Sequence, residues 1–337
     1  MSDDESLTDK TLSFLKQLGI EPTQIIRIQA GRNSRVWRVS TRKRHLALKE
    51  YFRHPQDPRD RLAAEAGFLR LLNRYTSLRV PQVVAVDEER NLGLYSWLEG
   101  KPVEKITNQY LEQCVAFVAA LNQCRQSEDA KQIASASEAC FTVQQHLGSV
   151  QKRVQLLLEI DAHSRMHDKA LNWIRTVLEP KLTQLQTELE NRAVQTENHL
   201  HLREPVLSPS DFGFHNIIEH KGELGFFDFE YAGWDNPAKL CCDFACQPQQ
   251  PVTTKQARWF CQLLGKSMKE ANLFKMFEIL LPLYRIKWCC IMLNEFQMTE
   301  WARRIHAGEK DREQRLKGQF IKTQNYFHQH IEATDAV

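Results

Sequence analysis

The sequence predicts an α+β chain of two lobes, a small β-rich lobe over residues 1–99 and a larger, mainly helical lobe over residues 100–337. Three observations carry that expectation. Short β-rich runs separated by polar turns fill the first hundred residues. Apolar spacings of three and four dominate from about Thr107 onward. One hairpin-like stretch, "LSPSDFGFHNIIEHKGELGFFDFE" from Leu207 to Glu230, interrupts the helical half.

In the first lobe, "IIRIQA", "RVWRVS" and "HLALKEYF" read as strands. Asp57-Pro58 reads as an N-cap followed by a first-turn proline. The one helix that follows carries Leu62, Leu69 and Leu72 on a single stripe. "VPQVVAVDEE" and "LGLYSWLEGKP" read as two further strands, with a bend at Gly100-Lys101-Pro102. In the second lobe, residues 108–125 and 141–190 read as helix, the latter from Leu171, Ile174, Leu178, Leu182, Leu185 and Leu189. Helices resume from Gln256 to about His330. There is no internal repeat and no low-complexity tract.

Composition narrows the function classes. A length of 337 residues suffices for a two-lobed unit with a real core. A net charge of +3, with Lys and Arg spread along the chain, gives no reason to expect a nucleic-acid surface. No apolar run reaches bilayer-spanning length. The acidic start "MSDDESLTDK" excludes a secretory signal, so the expectation is a cytoplasmic protein. Nine cysteines, partly as the adjacent pairs Cys241-Cys242 and Cys289-Cys290, lack zinc spacing and read as reduced, mostly buried thiols.

The hairpin brings polar groups together at its open end. A turn at Gly222 would pair Ile217-Ile218 with Phe226-Phe227 and set Asn216 beside Asp228, with Asp211 in the loop feeding the first strand. One amide oxygen and one carboxylate, with a second carboxylate near, suit a hard cation such as Mg²⁺. Two turn-capping residues and an ordinary loop aspartate would give the same pattern. In "HLALKEYF", alternation sets Ala47, Lys49 and Tyr51 on one face and Leu46 and Leu48 on the other. An inward lysine needs an anion, and Glu65 supplies one from the leucine stripe of the next helix, where an unpaired carboxylate would be costly. Upstream, "AGRNSRVWRV" is a polar turn around Gly31, where backbone N–H groups could cover phosphates. With one glycine, it reads equally as a plain hairpin turn.

The order of these parts resembles the phosphoryl-transfer set of the protein-kinase-like fold, and the chain resembles the aminoglycoside phosphotransferase and choline kinase-like family of small-molecule kinases. The resemblance covers about residues 20–330. "SDFGFHN" stands where that family has its H-G-D-x-x-x-x-N loop, "FFDFEYAGWDNPAKLCCDF" resembles its metal-binding segment, and "LYSWLEGKPV" resembles its hinge. The resemblance implies Asp211 as the catalytic aspartate, and Asn216 and Asp228 as the Mg²⁺ ligands. Lys49, oriented by Glu65, would meet the nucleotide's phosphates. Gly31, Asn33 and Ser34 would close over the phosphates, Val36 and Ala47 would roof the adenine, and the backbone of Ser96, Trp97 and Leu98 would bond its edge. The implied cofactors are ATP and Mg²⁺. The implied partner is a small hydroxylated metabolite, such as a sugar, amino sugar or amino alcohol.

Two departures from the family pattern matter. Pro209 stands where the family has a histidine, which keeps open a nucleotide-binding regulator without turnover; a kinase-fold nucleotidyl transferase is the other alternative. The segment after Asp228 has no room for a long activation segment, so a protein substrate is not expected. The resemblance implies an acceptor pocket built from helices of the second lobe. Acceptor contacts are sought at Trp234 and at Arg285, Trp288, Asn294 and Glu295, which break the apolar character of "LLPLYRIKWCCIMLNEF". Asp243 is expected to cap or brace the catalytic loop, not to react. His199 and His201 share a strand face, but without a third ligand nearby they read as a solvated loop.

Overall fold

The computed structural model describes residues 9–28, 34–55, 57, 59–161, 164–196 and 204–333. Helix α1 (Asp9–Gln17) precedes strands β1 (Gln24–Ile28), β2 (Ser34–Ser40) and β3 (His45–Tyr51). After helix α2 (Arg61–Tyr75) come β4 (Val83–Asp87) and β5 (Leu92–Ser96), completing a five-stranded antiparallel sheet in the order β1-β2-β3-β5-β4.

Alternation along β3 divides this lobe into two packing faces. Leu46 and Leu48 join Trp37, Val39, Leu92 and Leu94 in a small core that Phe14 and Leu15 of α1 cover. Helix α1 exists to bury that face, and it is an element the sequence reading does not contain. Tyr51 and Ala47 face the other way, toward the core shared with α2. The start of α2 also differs from expectation. Its N-cap is Asp60, whose side chain accepts from the Ala63 amide at 2.9 Å, not Asp57. Asp57 instead takes guanidinium donors from Arg59 at 2.6 Å and Arg61 at 2.7 Å. Pro58, the expected first-turn proline, lies outside the described residues.

The larger lobe begins with the two-residue strand β6 (Lys101–Pro102), then α3 (Asn108–Gln123), α4 (Glu128–Lys131), α5 (Val143–Leu158) and α6 (Arg165–Trp173). Helix α6 runs through one π turn, Ile174–Leu178, into α7 (Glu179–Thr196). Four short strands follow: β7 (Val206–Ser208), β8 (Ile217–His220), β9 (Glu223–Phe226) and β10 (Gly233–Asp235). The lobe closes with α8 (Pro237–Cys246), α9 (Thr254–Met268), α10 (Leu273–Leu293), α11 (Met298–His306) and α12 (Arg312–Phe327). Helix α8 falls in a stretch not expected to be helical, although Asn236 caps it and Pro237 stands in its first turn. Helix α10 is the spine, with Leu280, Leu283, Ile286, Cys289, Cys290 and Leu293 at 0% exposure. Among the described residues, no helix is long and apolar enough to cross a membrane. All nine cysteines are free and buried.

The β8–β9 hairpin forms around Lys221 (φ 54°) and Gly222 (φ 84°), the double positive φ of a two-residue primed turn. Ile217 pairs with Phe226 as expected, but Ile218 pairs with Gly225. The strand ends there, and the Phe227 amide donates to the Asn216 carbonyl at 3.2 Å. The helical lobe also reaches back to the sheet through α11. Arg303 lies 3.3 Å from Asp57, while Arg35 and Arg27 donate to the carbonyls of His306 (2.7 Å) and Ala307 (3.0 Å).

Candidate active site

One ammonium gathers the centre of the cleft. Lys49 Nζ lies 2.6 Å from Glu65 Oε2, contacts Asp228 Oδ1, and stands 3.5 Å from Glu230 Oε2. Strand β3 presents Lys49 inward, α2 presents Glu65 from its apolar stripe, and the end of the hairpin delivers the other two carboxylates. Glu65 is held on both oxygens, by Tyr51 Oη at 2.6 Å and by the Phe229 amide at 3.3 Å. Tyr51 meets Tyr95 Oη at 2.6 Å, so the pair sits in a fixed network. Desolvation opposes the charge on Lys49, but Asp228, Glu65 and Glu230 outweigh it and hold its pKa well above the ordinary value. Desolvation also dominates at Asp228 and pushes its carboxyl up to about 7 against the pull of Lys49.

Glu230 is a member that the sequence reading leaves without a role. It is 4% exposed, accepts from Ser34 Oγ at 3.0 Å, and has Arg61 Nε at 3.8 Å. The signal was present in "DFE": a third acidic residue, two positions on, inside an apolar segment. Ser34 itself departs from expectation. Its hydroxyl is buried against Glu230 instead of turned toward a phosphate, because Glu230 needs a donor. Gly31 and Asn33 lie outside the described residues, as do His199 and His201.

The loop between β7 and β8 carries the second set. Ser210 takes φ 64° immediately before Asp211, and Asp228 takes φ 67° across the cleft. Left-handed backbone at two non-glycine positions is a strain that surrounding structure must hold. Asn216 Nδ2 donates to the Asp211 carbonyl at 2.9 Å, so its side-chain oxygen is the atom left to bind outward. The Asp211 side chain is 33% exposed, and Asp211, Asn216 and Asp228 line one cavity of about 2800 Å³. No group of three or more His, Cys, Asp or Glu side chains among the described residues would enclose a metal ion. An amide oxygen and one carboxylate facing an open cavity still fit Mg²⁺, which keeps waters and takes phosphate oxygens for the remainder of its shell. His215, quoted in the loop motif but given no role, stands with Nε2 3.3 Å from Asp211 Oδ1.

The remaining positions expected to meet a nucleotide fall on β2, β3 and the end of β5. Val36 is opposite Lys49, and Ala47 is opposite both Arg38 and Tyr95, so Val36 and Ala47 share the face of Lys49. At Ser96 and Trp97 the amides already donate to the carbonyls of Gln82 (2.8 Å) and His45 (3.3 Å). Of the three amides, only that of Leu98 is left to meet an adenine edge.

The acceptor candidates divide. Trp288 and Asn294 line the cavity, and Trp288 Nε1 donates to Asp243 Oδ1 at 3.0 Å. Trp234, Arg285 and Glu295 do not line it. Trp234 Nε1 donates to the Ala130 carbonyl at 3.0 Å and braces α4. Arg285 stands on the far side of α10, near Cys246 and Tyr326. Glu295 is 1% exposed and engaged by Arg304 (2.7 Å) and Arg315 (2.7 Å). Asp243 does not brace the loop through its carboxylate as expected. It binds Lys287 at 2.9 and 3.0 Å, with Lys239 at 3.4 Å.

A lysine–glutamate pair between sheet and helix, with an Asp–Asn loop and a hairpin aspartate on one cavity, is the constellation of phosphoryl transfer. Residues 24–246 match the family described as the phosphotransferase enzyme family. The chain belongs to that family. No curated protein matches this phosphotransferase in sequence. Its solved fold relatives include the choline kinase of Cryptosporidium parvum Iowa II, 13% identical over 97% of each chain with a TM-score of 0.58. A spectinomycin phosphotransferase in complex with ADP and spectinomycin is 12% identical over 96% of this chain and 98% of that chain, with a TM-score of 0.63. The macrolide 2'-phosphotransferase of Brachybacterium faecium is 14% identical over 90% of this chain and 99% of that chain, with a TM-score of 0.58. At such identities these relatives show the fold: this phosphotransferase has the protein-kinase-like architecture of a small sheet lobe and a helical lobe.

Proposed function

We propose that the protein transfers the γ-phosphoryl group of ATP to a hydroxyl of a small metabolite, with Mg²⁺ as cofactor. The observation that carries this reading is the Lys49–Glu65–Asp228 cluster sharing a cleft with Asp211. Lys49, fixed by Glu65, would neutralise the α- and β-phosphates. Asn216 and Asp228 would hold Mg²⁺, which supplies charge neutralisation between phosphate oxygens. Asp211 would orient the acceptor hydroxyl and receive its proton as the new O–P bond forms and the bond to the β–γ bridging oxygen breaks. Val36 and Ala47 would roof the adenine, with Leu98 at its edge. Positioning and charge stabilisation then carry the rate. The lobe boundary near residue 100 is proposed as the hinge.

Spectinomycin phosphotransferase and choline kinase are named for small acceptors, and a sugar, amino sugar or amino alcohol fits the same logic here. Charge on the helical wall argues against a polycation. Asp243 is engaged by Lys287, Lys239 and Trp288, and Glu138 by Arg153 at 2.5 Å. A polyamine acceptor needs carboxylates not already neutralised.

Thermal unfolding with nucleotide tests the first half of the reading. ATP with Mg²⁺ should raise the melting temperature clearly and ATP alone less, by mass action. A flat response to millimolar nucleotide would overturn it. Screening small hydroxylated metabolites for ATP-dependent phosphate incorporation tests the second half. Nucleotide binding without incorporation across such a screen would favour the regulator reading, which the absence of a histidine at Pro209 motivates.

A further inference from the structure

We propose that His215 is a positioning residue for Asp211: its Nε2–H donates to Asp211 Oδ1 and turns the other carboxylate oxygen toward the acceptor. Its catalytic half rests on the phosphotransferase reading above; the contact itself does not.

His215 sits on the 3-10 turn Phe214–Asn216, four residues after Asp211, with Nε2 3.3 Å from Oδ1. Its side chain is only 7% exposed, and neither ring nitrogen has a hydrogen-bond partner meeting normal geometry. A buried imidazole with two unsatisfied nitrogens is costly, and the nearest relief is the Asp211 carboxylate. Catalytic hydrogen bonds are often long in unliganded proteins and tighten when substrate is seated.

The loop is shaped around this ring. A Cβ on Gly213 would stand 2.9 Å from His215 Nδ1 and 3.1 Å from Cε1, so only glycine leaves the ring its place. Asn216 holds the Asp211 carbonyl at 2.9 Å while His215 faces its carboxylate, so one short turn grips the aspartate at both ends. Pro209, just upstream, has neither an N–H nor a polar side chain with which to do this work. A carboxylate must present its oxygen to within a fraction of an ångström, since a misplacement of about 1 Å can cost on the order of 10²-fold in rate.

Two measurements decide the proposal. In the ¹⁵N-histidine-labelled full chain, the His215 ring is identified by the resonance lost in His215→Gln. A ring carrying a proton on Nε2, whose resonance shifts in Asp211→Ala, is expected. A proton on Nδ1, or a ring signal indifferent to Asp211→Ala, would overturn the contact whether or not the protein transfers phosphate. In ATP turnover, with the acceptor found by screening or with water as the acceptor, His215→Leu should lower kcat by about 10- to 100-fold with KM for ATP little changed. His215→Gln keeps an N–H near the Nε2 position and should recover most of that loss. Equal defects in the Leu and Gln variants, or a full loss from His215→Leu in an Asp211→Asn background, would reduce His215 to a packing residue.

Discussion

Replacing Lys49 by methionine should destabilise the nucleotide-free protein much more than replacing Glu65 by glutamine. Lys49 stands among three carboxylates: Glu65 at 2.6 Å, Asp228 in contact and Glu230 at 3.5 Å. Without the ammonium, Glu65, 4% exposed, keeps the neutral donors of Tyr51 and the Phe229 amide. Glu230, equally buried, keeps Ser34 Oγ and an Arg61 guanidinium 3.8 Å away. Breaking a buried pair from the side that leaves uncompensated charge costs about 3–5 kcal/mol. Glu65→Gln is milder, because Lys49 retains two carboxylates and the new amide oxygen can still accept from Tyr51 or the Phe229 amide. The loss there approaches that of one charge-assisted hydrogen bond, about 1.5–3 kcal/mol. Urea unfolding at neutral pH reads both. The sign with pH is also set. Asp228 is raised to about 7 even with Lys49 pulling it down, so removing the ammonium raises it further. The Lys49→Met deficit therefore grows as pH rises through about 7 and shrinks on acidification. Equal costs for the two variants, or a Lys49→Met deficit that is flat with pH, would refute the reasoning.

Asp211→Asn should retain ATP affinity while turnover falls by about 10²–10⁴-fold, and Asp228→Ala should weaken Mg²⁺-dependent nucleotide binding itself; titration calorimetry beside a turnover assay separates the two. Burial works against the charge on Asp57, but the hydrogen bonds from Arg59 and Arg61 hold its carboxyl far below the usual range. Its stabilising contribution is therefore complete above the unfolded value near 4 and is lost as pH falls through the depressed one. Asp57→Asn should lower stability at pH 7 and flatten the acid limb of stability against pH, measured by thermal melts across the acid range.

The sequence made the central pair legible because two periodicities meet in it. Alternation in β3 turns Lys49 inward, and the helical period places Glu65 beneath it, so each demands the other. The hairpin was readable from Gly222 and its flanking apolar runs, although not to the residue, since the register depends on where β9 stops. Residues in the helical lobe were harder. Arg285 and Glu295 break the apolar pattern of their segment just as Trp288 and Asn294 do. A buried polar side chain announces that it needs a partner, but not whether that partner is a ligand or the chain itself. Glu295 finds arginines from α11 and α12, which no local pattern foretells. Asp57 illustrates the same limit, because a residue that reads as a helix cap is instead the meeting point of guanidinium groups from both lobes.

The buried cysteines have a consequence for how this protein comes apart. The first of the nine is Cys114 and the last Cys290, so every thiol belongs to the helical lobe and the sheet lobe carries none. Only the thiolate reacts, and all nine thiols are buried; desolvation above all raises Cys246 and Cys290, for example, to about 12. An alkylating reagent therefore keeps time on one half of the molecule. Opening of the helical lobe would register as labelling, whereas melting of the five-stranded sheet alone would pass unrecorded.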